Sequence, residues 1–339
     1  MRIALDAMGG DYAPEEPCKG AILACRQKPE LSVALVGDSE KIRPIIEKAE
    51  PDIRRRLDIV HAAEVISGSD SPSLSIRRKK DSSLVVGFNM VRSHEADGIV
   101  SSGNTGAMMA GAVLLLGRIP GIDRPGLGAV LPVENRTTLL MDVGGTVRCK
   151  PVNLYQFALM GSIYMKLFQK VENPSVRLLC NGEEMTKGDE VISAARALIE
   201  ASPLNFQGYA EGKDVPHGIA DVVICDGFTG NVLIKFGEGL GELLKNQFKE
   251  EYMHHILPKI GLFFMWPAMK RVMGRFDWEK YGGSPVLGVN GSVVKVHGRS
   301  KANAIAYALL GTANFIENKG NDRIREEIAR GEENNDAKG

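Results

Sequence analysis

Apolar residues along this chain fall into short runs separated by stretches long enough to be helices. Ile3-Ala4-Leu5, Ser32 to Val36, Gly98 to Val100, Leu139-Leu140-Met141, Arg177 to Leu179 and Val222 to Cys225 read as strands. Helical patterns lie between them, as at Met185 to Ile199 and Val232 to Lys249. Strand-length runs alternating with helix-length segments predict βα units and a mostly parallel sheet, so the fold class is α/β. No repeat and no low-complexity block interrupts the pattern. No Pro/Ser-rich linker marks a boundary either, so residues 1–320 are expected to form one unit. The charged tail, residues 321–339, is expected to fray or be disordered.

Composition narrows the function. The chain has 339 residues, 44% hydrophobic and 25% charged, as expected of a globular protein. Lys+Arg and Asp+Glu are both 42, so the net charge is zero. That argues against a whole-surface basic field, and no nucleic-acid partner is expected. The five cysteines, Cys18, Cys25, Cys149, Cys180 and Cys225, are scattered, odd in number and without CxxC spacing. They predict neither a disulfide framework nor a zinc site, and they favour a reducing cytosol. No HxxxH pair occurs, and His254 and His255 are adjacent, so no metal and no cofactor is expected. The start, Met1-Arg2-Ile3-Ala4-Leu5-Asp6, has an acid where a signal peptide needs an apolar core. The longest apolar run, Leu262 to Met269, is far short of the roughly 20 residues of a spanning helix.

Glycine is the informative excess, 38 residues, and much of it sits in loops after apolar runs. Four such loops stand out: Asp6-Ala7-Met8-Gly9-Gly10-Asp11, Ser101-Ser102-Gly103-Asn104-Thr105-Gly106, Asp142-Val143-Gly144-Gly145-Thr146 and Asp226-Gly227-Phe228-Thr229-Gly230-Asn231. In a parallel sheet, such loops gather at the carboxyl ends of the strands, where ligands bind. Two of them open onto helices, whose N-termini favour an anion. Any one loop is accounted for by a tight strand–helix turn; four together predict an anion or phosphate site. None is a Walker loop or a GxGxxG with a distant acid, and no GxSxG elbow occurs. Cys149 and Cys225 lie beside these loops, but free cysteines are more often buried small hydrophobes. A phosphate oxygen can itself be the nucleophile, so no covalent intermediate on the protein is required.

At this point a resemblance becomes specific. Asp6-Ala7-Met8-Gly9-Gly10-Asp11, Gly103-Asn104-Thr105-Gly106-Ala107, Asp226-Gly227-Phe228-Thr229-Gly230-Asn231-Val232 and the run Tyr281-Gly282-Gly283-Ser284-Pro285-Val286-Leu287-Gly288-Val289-Asn290-Gly291 resemble the bacterial phosphate acyltransferases of phospholipid synthesis. The resemblance runs from residue 1 to about 320. It implies a Rossmann-like α/β/α fold related to isocitrate dehydrogenase and phosphotransacetylase, with a helical hairpin near residues 240–276, and it implies a homodimer. It implies a reaction in which the thioester of acyl-acyl carrier protein and inorganic phosphate give acyl phosphate. Where the family has Gly-Ala-Asn after the strand aspartate, this chain has Gly144-Gly145-Thr146.

The resemblance puts Lys187 at the active site. Read by itself, Lys187 is equally a solvated lysine in a helix's first turn. Asn231, at the predicted helix start, can donate through its amide or serve as an N-cap. These two are the candidate catalytic residues. Asp6, Gly9, Gly10, Gly103, Asn104, Thr105, Gly106, Asp142, Asp226, Thr229 and Gly230 are the candidate phosphate and substrate residues, the aspartates as loop organisers rather than proton carriers. Arg77-Arg78-Lys79-Lys80 is the strongest basic run. It is either a solvated helix face or a dock for acidic acyl carrier protein.

The segment from Ile256 to Arg271 holds Leu262-Phe263-Phe264-Met265-Trp266 between Pro258 and Pro267, with Lys259, Lys270 and Arg271 beside it. The prolines predict two helices joined at an apolar tip. Such a tip suits an anionic membrane surface, a dimer contact or core. With the resemblance, the chain is expected in the cytoplasm, peripherally attached to the inner face of the membrane. Two alternatives stay open: a phosphotransacetylase-like enzyme using acyl coenzyme A, and a non-enzymatic membrane scaffold for lipid synthesis.

Overall fold

The computed structural model describes residues 1–134, 136–184, 186–254, 256–275 and 278–336, with side chains for all of these except 252–254, 256, 258–260, 275, 278–279 and 332–336. Met185, His255, the side chains of Ile256, Pro258, Lys259 and Ile260, and residues 337–339 of the tail lie outside the described residues.

The first half of the chain contributes β1 (Arg2–Asp6), α1 (Glu15–Gln27), β2 (Ser32–Gly37), α2 (Ser39–Ile46), α3 (Pro51–Arg54), β3 (Leu57–His61), α4 (Pro72–Arg78), α5 (Ser83–Arg92), β4 (Gly98–Ser101) and α6 (Thr105–Gly111). A π-helical turn, Ala112–Leu116, continues α6. There follow β5 (Gly126–Pro132), β6 (Thr137–Met141), α7 (Pro151–Phe168), β7 (Ser175–Leu179), α8 (Glu190–Glu200), β8 (Asn205–Ala210) and β9 (Val222–Ile224). The chain ends with α9 (Gly227–His254), α10 (Ile256–Arg275), β10 (Ser284–Leu287), β11 (Ser292–Lys295), α11 (Ala302–Glu317) and α12 (Gly320–Asp336).

The strands form one sheet in the order β3-β2-β1-β4-β11-β10-β5-β6-β9-β7-β8. β3, β2, β1, β4 and β11 are parallel. β10 is antiparallel to both its neighbours, and β5 is antiparallel to β6. β6, β9, β7 and β8 are again parallel to one another. The sheet therefore has two parallel wings of opposite direction. β5 joins them: Gly126 and Leu127 pair with β10, and Gly128 to Pro132 pair with β6.

Strand alternation sorts the apolar residues into layers. Ile3, Leu5, Val100, Val294 and Val296 pack with residues of α1 and α11 on one face. Ala4, Ile99 and Val293 pack with Phe88 of α5 and Met108 of α6 on the other. In the second wing, Leu139, Met141, Leu178 and Val222 pack against Phe157 of α7 and Ala195 of α8. This is the α/β/α layering expected from the sequence.

Three local differences from the sequence reading have physical causes. α8 starts at Glu190, not near residue 185, because Gly188 is left-handed (φ 89°) and Asp189 caps the helix through Ile192 N–H at 2.8 Å. The charged tail is helical as α12 through Asp336, because Ile324 and Ile328, one turn apart, are buried against the α7 cluster. The apolar residues Phe263 to Trp266 lie in the body of α10, which starts at Ile256, and not at a tip between two helices. Pro258 stands in the first turn of α10, where proline is tolerated, and Pro267 does not end that helix. α9 is exposed on every side from Lys235 to Glu250.

Candidate active site

The four glycine-bearing loops form two pairs, one on each wing. On the first wing, Asp6 at the end of β1 is buried and accepts from Ser101 Oγ (2.7 Å) and Met8 N–H (3.1 Å). Ser101 Oγ in turn accepts from Gly103 N–H at 3.0 Å, and Ser102 Oγ donates to the Gly9 carbonyl at 2.8 Å. The β1 and β4 loops are thus laced together. A Cβ at Gly9 would lie 2.6 Å from Asp6 Oδ2 and 2.7 Å from Gly103 N, so only glycine allows this approach. Burial pushes the Asp6 carboxyl up from its ordinary value, against the pull of its hydrogen bonds from Ser83, Ser101, Met8 and Gly9.

Asn104 caps α6: its Oδ1 accepts Ala107 N–H at 3.0 Å. The N–H groups of Thr105 and Gly106, at the start of the helix, have no intrahelical acceptor. Asn104 Nδ2 also donates to the carbonyls of Ser67 (3.1 Å) and Gly68 (3.2 Å), which brings the loop before α4 over the turn. Pro72, at the start of α4, closes on the same turn, since a Cβ at Gly106 would lie 2.6 Å from its Cγ.

On the second wing, Asp142 is fully buried at the end of β6. Its Oδ1 accepts from the N–H groups of Leu127 (3.0 Å), Gly144 (3.2 Å) and Gly145 (2.9 Å), and Oδ2 accepts Thr146 N–H at 2.5 Å. Burial raises its pKa while these four donors lower it, with burial the larger effect. Asp226 caps α9 by accepting the N–H groups of Phe228 and Thr229, both at 2.9 Å, and the hydroxyl of Thr229 at 2.7 Å. Asp226, rather than Asn231, is therefore the N-cap. Asn231 is exposed one turn further along, and its amide is not used as a cap. Gly227 N–H donates to the Thr146 carbonyl at 2.8 Å, locking the β6 and β9 loops.

The two pairs meet through α6. Gly145 faces Met109, whose terminal methyl would lie 2.8 Å from a Cβ at that glycine. Lys187 stands on the loop after β7, the strand beside β9. It is exposed, its stem lies over Gly182, and its N–H donates to the Glu184 carbonyl at 2.9 Å. Lys187 and Asn231 thus belong to adjacent loops of one wing, and Asn104 to Gly106 belong to the other.

Cys149 and Cys225 are poor nucleophiles. Burial, reinforced by Asp142 and Asp226, pushes the Cys149 thiol up to about 12 and the Cys225 thiol well above its ordinary value. Among the described residues, no group of three or more His, Cys, Asp and Glu is placed to hold a metal ion.

The basic run divides. Arg77, Arg78 and Lys80 are exposed, while Lys79 is half-buried and donates to Asp70 (2.6 Å) and to the Val65 carbonyl (2.8 Å). On α10, Phe263, Phe264, Met265 and Trp266 are exposed, and Leu262 is half-buried. No helix among the described residues is long and apolar enough to cross a membrane.

Several groups that tie these loops together were not among the candidate residues. Ser101 and Ser102 couple the first pair of loops, and Met109 links the two pairs. Lys295 is buried at the end of β11 beside Ser101. Its only sequence signal was a lysine inside the apolar run Val293-Val294-Lys295-Val296.

The family described as "Fatty acid synthesis protein" matches residues 1–323. The chain is 43% identical over 328 residues to the phosphate acyltransferase of Thermoanaerobacter pseudethanolicus, covering 97% of each chain. It is 48% identical over 309 residues to that of Heliobacterium modesticaldum, covering 91% of this chain and 92% of the relative. Among solved structures, its fold is similar to a phosphotransacetylase from Streptococcus pyogenes, with TM-score 0.62 and 18% identity over 94% of both chains. It is also similar to a phosphotransacetylase from Staphylococcus aureus, with TM-score 0.60 and 15% identity over 93% of both.

Proposed function

The chain belongs to the phosphate acyltransferase family, and from that premise we propose that it moves a long-chain acyl group from acyl-acyl carrier protein to inorganic phosphate. The product is acyl phosphate, a precursor for phosphatidic acid. The observation that carries this reading is the meeting of the two loop pairs at α6. The Asn104-capped start of α6 lies beside the Asp142 and Asp226 loops, with Met109 against Gly145 between them.

Phosphate binds at the Asn104–Gly106 turn, where N–H groups and helix dipole favour an anion. One of its oxygens attacks the thioester carbonyl carbon, forming a P–O–C bond and placing negative charge on the carbonyl oxygen. Lys187 and the amide of Asn231, from the opposite wing, donate to that oxyanion. The tetrahedral intermediate collapses, the C–S bond breaks and the thiolate leaves with the electron pair. A thiol of pKa near 8.5 needs little acid assistance. The high thiol pKa values of Cys149 and Cys225 fit this direct transfer, since neither offers a thiolate at neutral pH.

The exposed Arg77, Arg78 and Lys80 lie on or next to α4, the helix whose start covers the phosphate turn, and they are the dock for an acidic carrier. Val232, Phe236, Leu240, Leu243 and Leu244 are exposed on α9. An apolar stripe of this size on one helix supports a homodimer formed through it. The exposed aromatic residues of α10 support peripheral contact with the inner face of the membrane in the cytoplasm. The second reading, acyl coenzyme A as donor, is favoured by the likeness of fold to phosphotransacetylases.

Hydroxylamine trapping tests the reaction. Purified protein, phosphate and a long-chain acyl-carrier thioester should give acyl hydroxamate, faster than with the coenzyme A thioester. Lys187→Ala and Asn231→Ala should each lower turnover at least about tenfold, 1.4 kcal/mol of transition-state stabilisation. No phosphate-dependent hydroxamate from folded protein would refute the reaction.

A further inference from the structure

β11 carries an ionisable residue where its neighbours are apolar. Val294 and Val296 pack into the cluster with α1 and α11, and Val293 packs into the opposite cluster with Ala4 and Ile99. Alternation then sends Lys295 to the face of α5 and α6. In the sheet register, Lys295 lies beside Ser101 of β4, and Ser101 lies beside Asp6 of β1. Asp6, Ser101 and Lys295 thus form one row across three strands, at the carboxyl ends from which the β1 and β4 loops leave.

Lys295 is only 8% exposed. Its ammonium donates to the carbonyl of Val296 and makes no ion pair among the described residues. The charges that reach it come from both wings: Asp11 from the β1 loop, and Lys235 and Glu238 from the third and fourth turns of α9. Asp11 N–H donates to the Gly298 carbonyl at 2.8 Å, so the chain just beyond β11 is bound to the β1 loop. Lys295 therefore sits between the phosphate turn on one wing and the helix that carries Asn231 on the other. A buried ammonium with no carboxylate in contact is costly even with Asp11 and Glu238 acting from a distance, and an anion arriving beside it lowers that cost. In keeping with this, burial and Lys235 pull its pKa down to about 8.

We propose that Lys295 is the cation that holds the attacking phosphate in the crevice, completing the site opened by the Asn104–Gly106 turn. This rests on phosphate being the acyl acceptor. Burial selects a small inorganic anion over a carrier-protein carboxylate, which cannot follow it below the surface. Lys187, exposed on the far wing, is left to the thioester side. The assignment also gives the acids a function: Asp11 and Glu238 keep the cationic crevice near neutral until phosphate enters.

The test uses the full chain and inorganic phosphate. Lys295→Met should fold with an unchanged or higher melting temperature in phosphate-free buffer. It should lose the rise in melting temperature that phosphate gives the wild type. Its KM for phosphate should rise at least about tenfold, with the thioester KM within about twofold. Lys187→Ala should show the reverse split, keeping the phosphate-induced stabilisation. A second measurement needs no variant: phosphate, but not chloride at equal ionic strength, should slow acetylation of Lys295 in the wild type, read by peptide mass. An unchanged phosphate KM in Lys295→Met overturns the assignment, and so does acetylation of Lys295 that is indifferent to phosphate. If the wild type makes no acyl phosphate, the reaction proposed above fails, and the protection experiment alone then decides whether Lys295 binds phosphate.

Discussion

Glycine to alanine at two positions of the same helix should have opposite effects. In α9, a Cβ at Gly230 would lie 2.0 Å from the carbonyl oxygen of Asp142 and 2.9 Å from Cys225 Sγ. Favourable separations between non-bonded heavy atoms are about 3.5–4.0 Å, so the helix and the β6 loop must part by 1 Å or more. Neither side yields easily. Asp142 is held by its N–H to Cys225 and by the four N–H groups on its carboxylate, and Gly230 N–H is held by the Asp226 carbonyl. Overpacking of this kind costs about 1–3 kcal/mol or more, against roughly 0.5–1 kcal/mol gained by replacing a helical glycine. The expected net loss for Gly230→Ala is about 1–2 kcal/mol of stability in urea unfolding.

Activity should suffer more than stability, because the shift moves Asn231 and the Asp226 cap relative to Asp142. A displacement of about 1 Å in a positioned site costs on the order of 100-fold in kcat/KM. Gly241, three turns further along α9, has nothing within 4 Å of its added Cβ. Gly241→Ala should therefore stabilise the protein by about 0.5–1 kcal/mol and leave turnover unchanged. A Gly230→Ala protein as stable and active as the wild type would refute the close approach of α9 to the β6 loop. A strongly destabilised Gly241→Ala protein would refute the openness of α9 at that point.

Reversing Arg77, Arg78 and Lys80 to Glu should raise the carrier-substrate KM and not the phosphate KM, with the difference fading at high salt; Lys79→Ala should instead lower the melting temperature, because it frees the Asp70 loop, and an equal carrier effect from Lys79 would remove the division between these residues. Asp6 has a folded pKa raised above its ordinary 3.8 by burial, so its contribution to stability is full below that value and is lost as pH rises through the folded pKa. The stability of the wild type relative to Asp6→Asn should thus decline from pH 4 upward in urea titrations, and a rising difference would show that its hydrogen bonds outweigh burial. Phe263→Glu with Trp266→Glu should abolish flotation with anionic vesicles and spare activity on soluble substrate; persistent flotation excludes this part of α10 as the anchor, and loss of the dimer would make it a contact between copies.

What the sequence made legible follows from burial. β1, β2, β4, β6, β7 and β9 were readable because each is a run of buried apolar residues closed by a polar loop. β5, β8 and β10 were not, because Gly126, Gly128, Gly208 and Pro285 interrupt their patterns. Their position matters: β10 and β5 are the antiparallel insert that reverses the second wing. A parallel sheet was therefore a sound inference for each wing and insufficient for the way the four loops meet. The tail misled because its charge dominates its composition, while Ile324 and Ile328, two residues at helical spacing, decide its structure.

The loops themselves show the limit most clearly. A glycine beside an aspartate at a strand end signals a backbone under close approach, but the approaching group is invisible in one dimension. At Gly9 it is Gly103 and Asp6, at Gly227 it is Thr146 and Asp142, and at Gly230 it is the Asp142 carbonyl. These glycines serve loop-to-loop packing. The sequence pattern marked loops that do come together, and it did so for a reason of packing rather than of chemistry. Loops that must hold an anion in a narrow crevice must first pack tightly on one another, and the glycines record that packing. The cation that completes the site leaves no such record, because a single lysine in β11 changes neither the apolar pattern of the strand nor the charge balance of the chain.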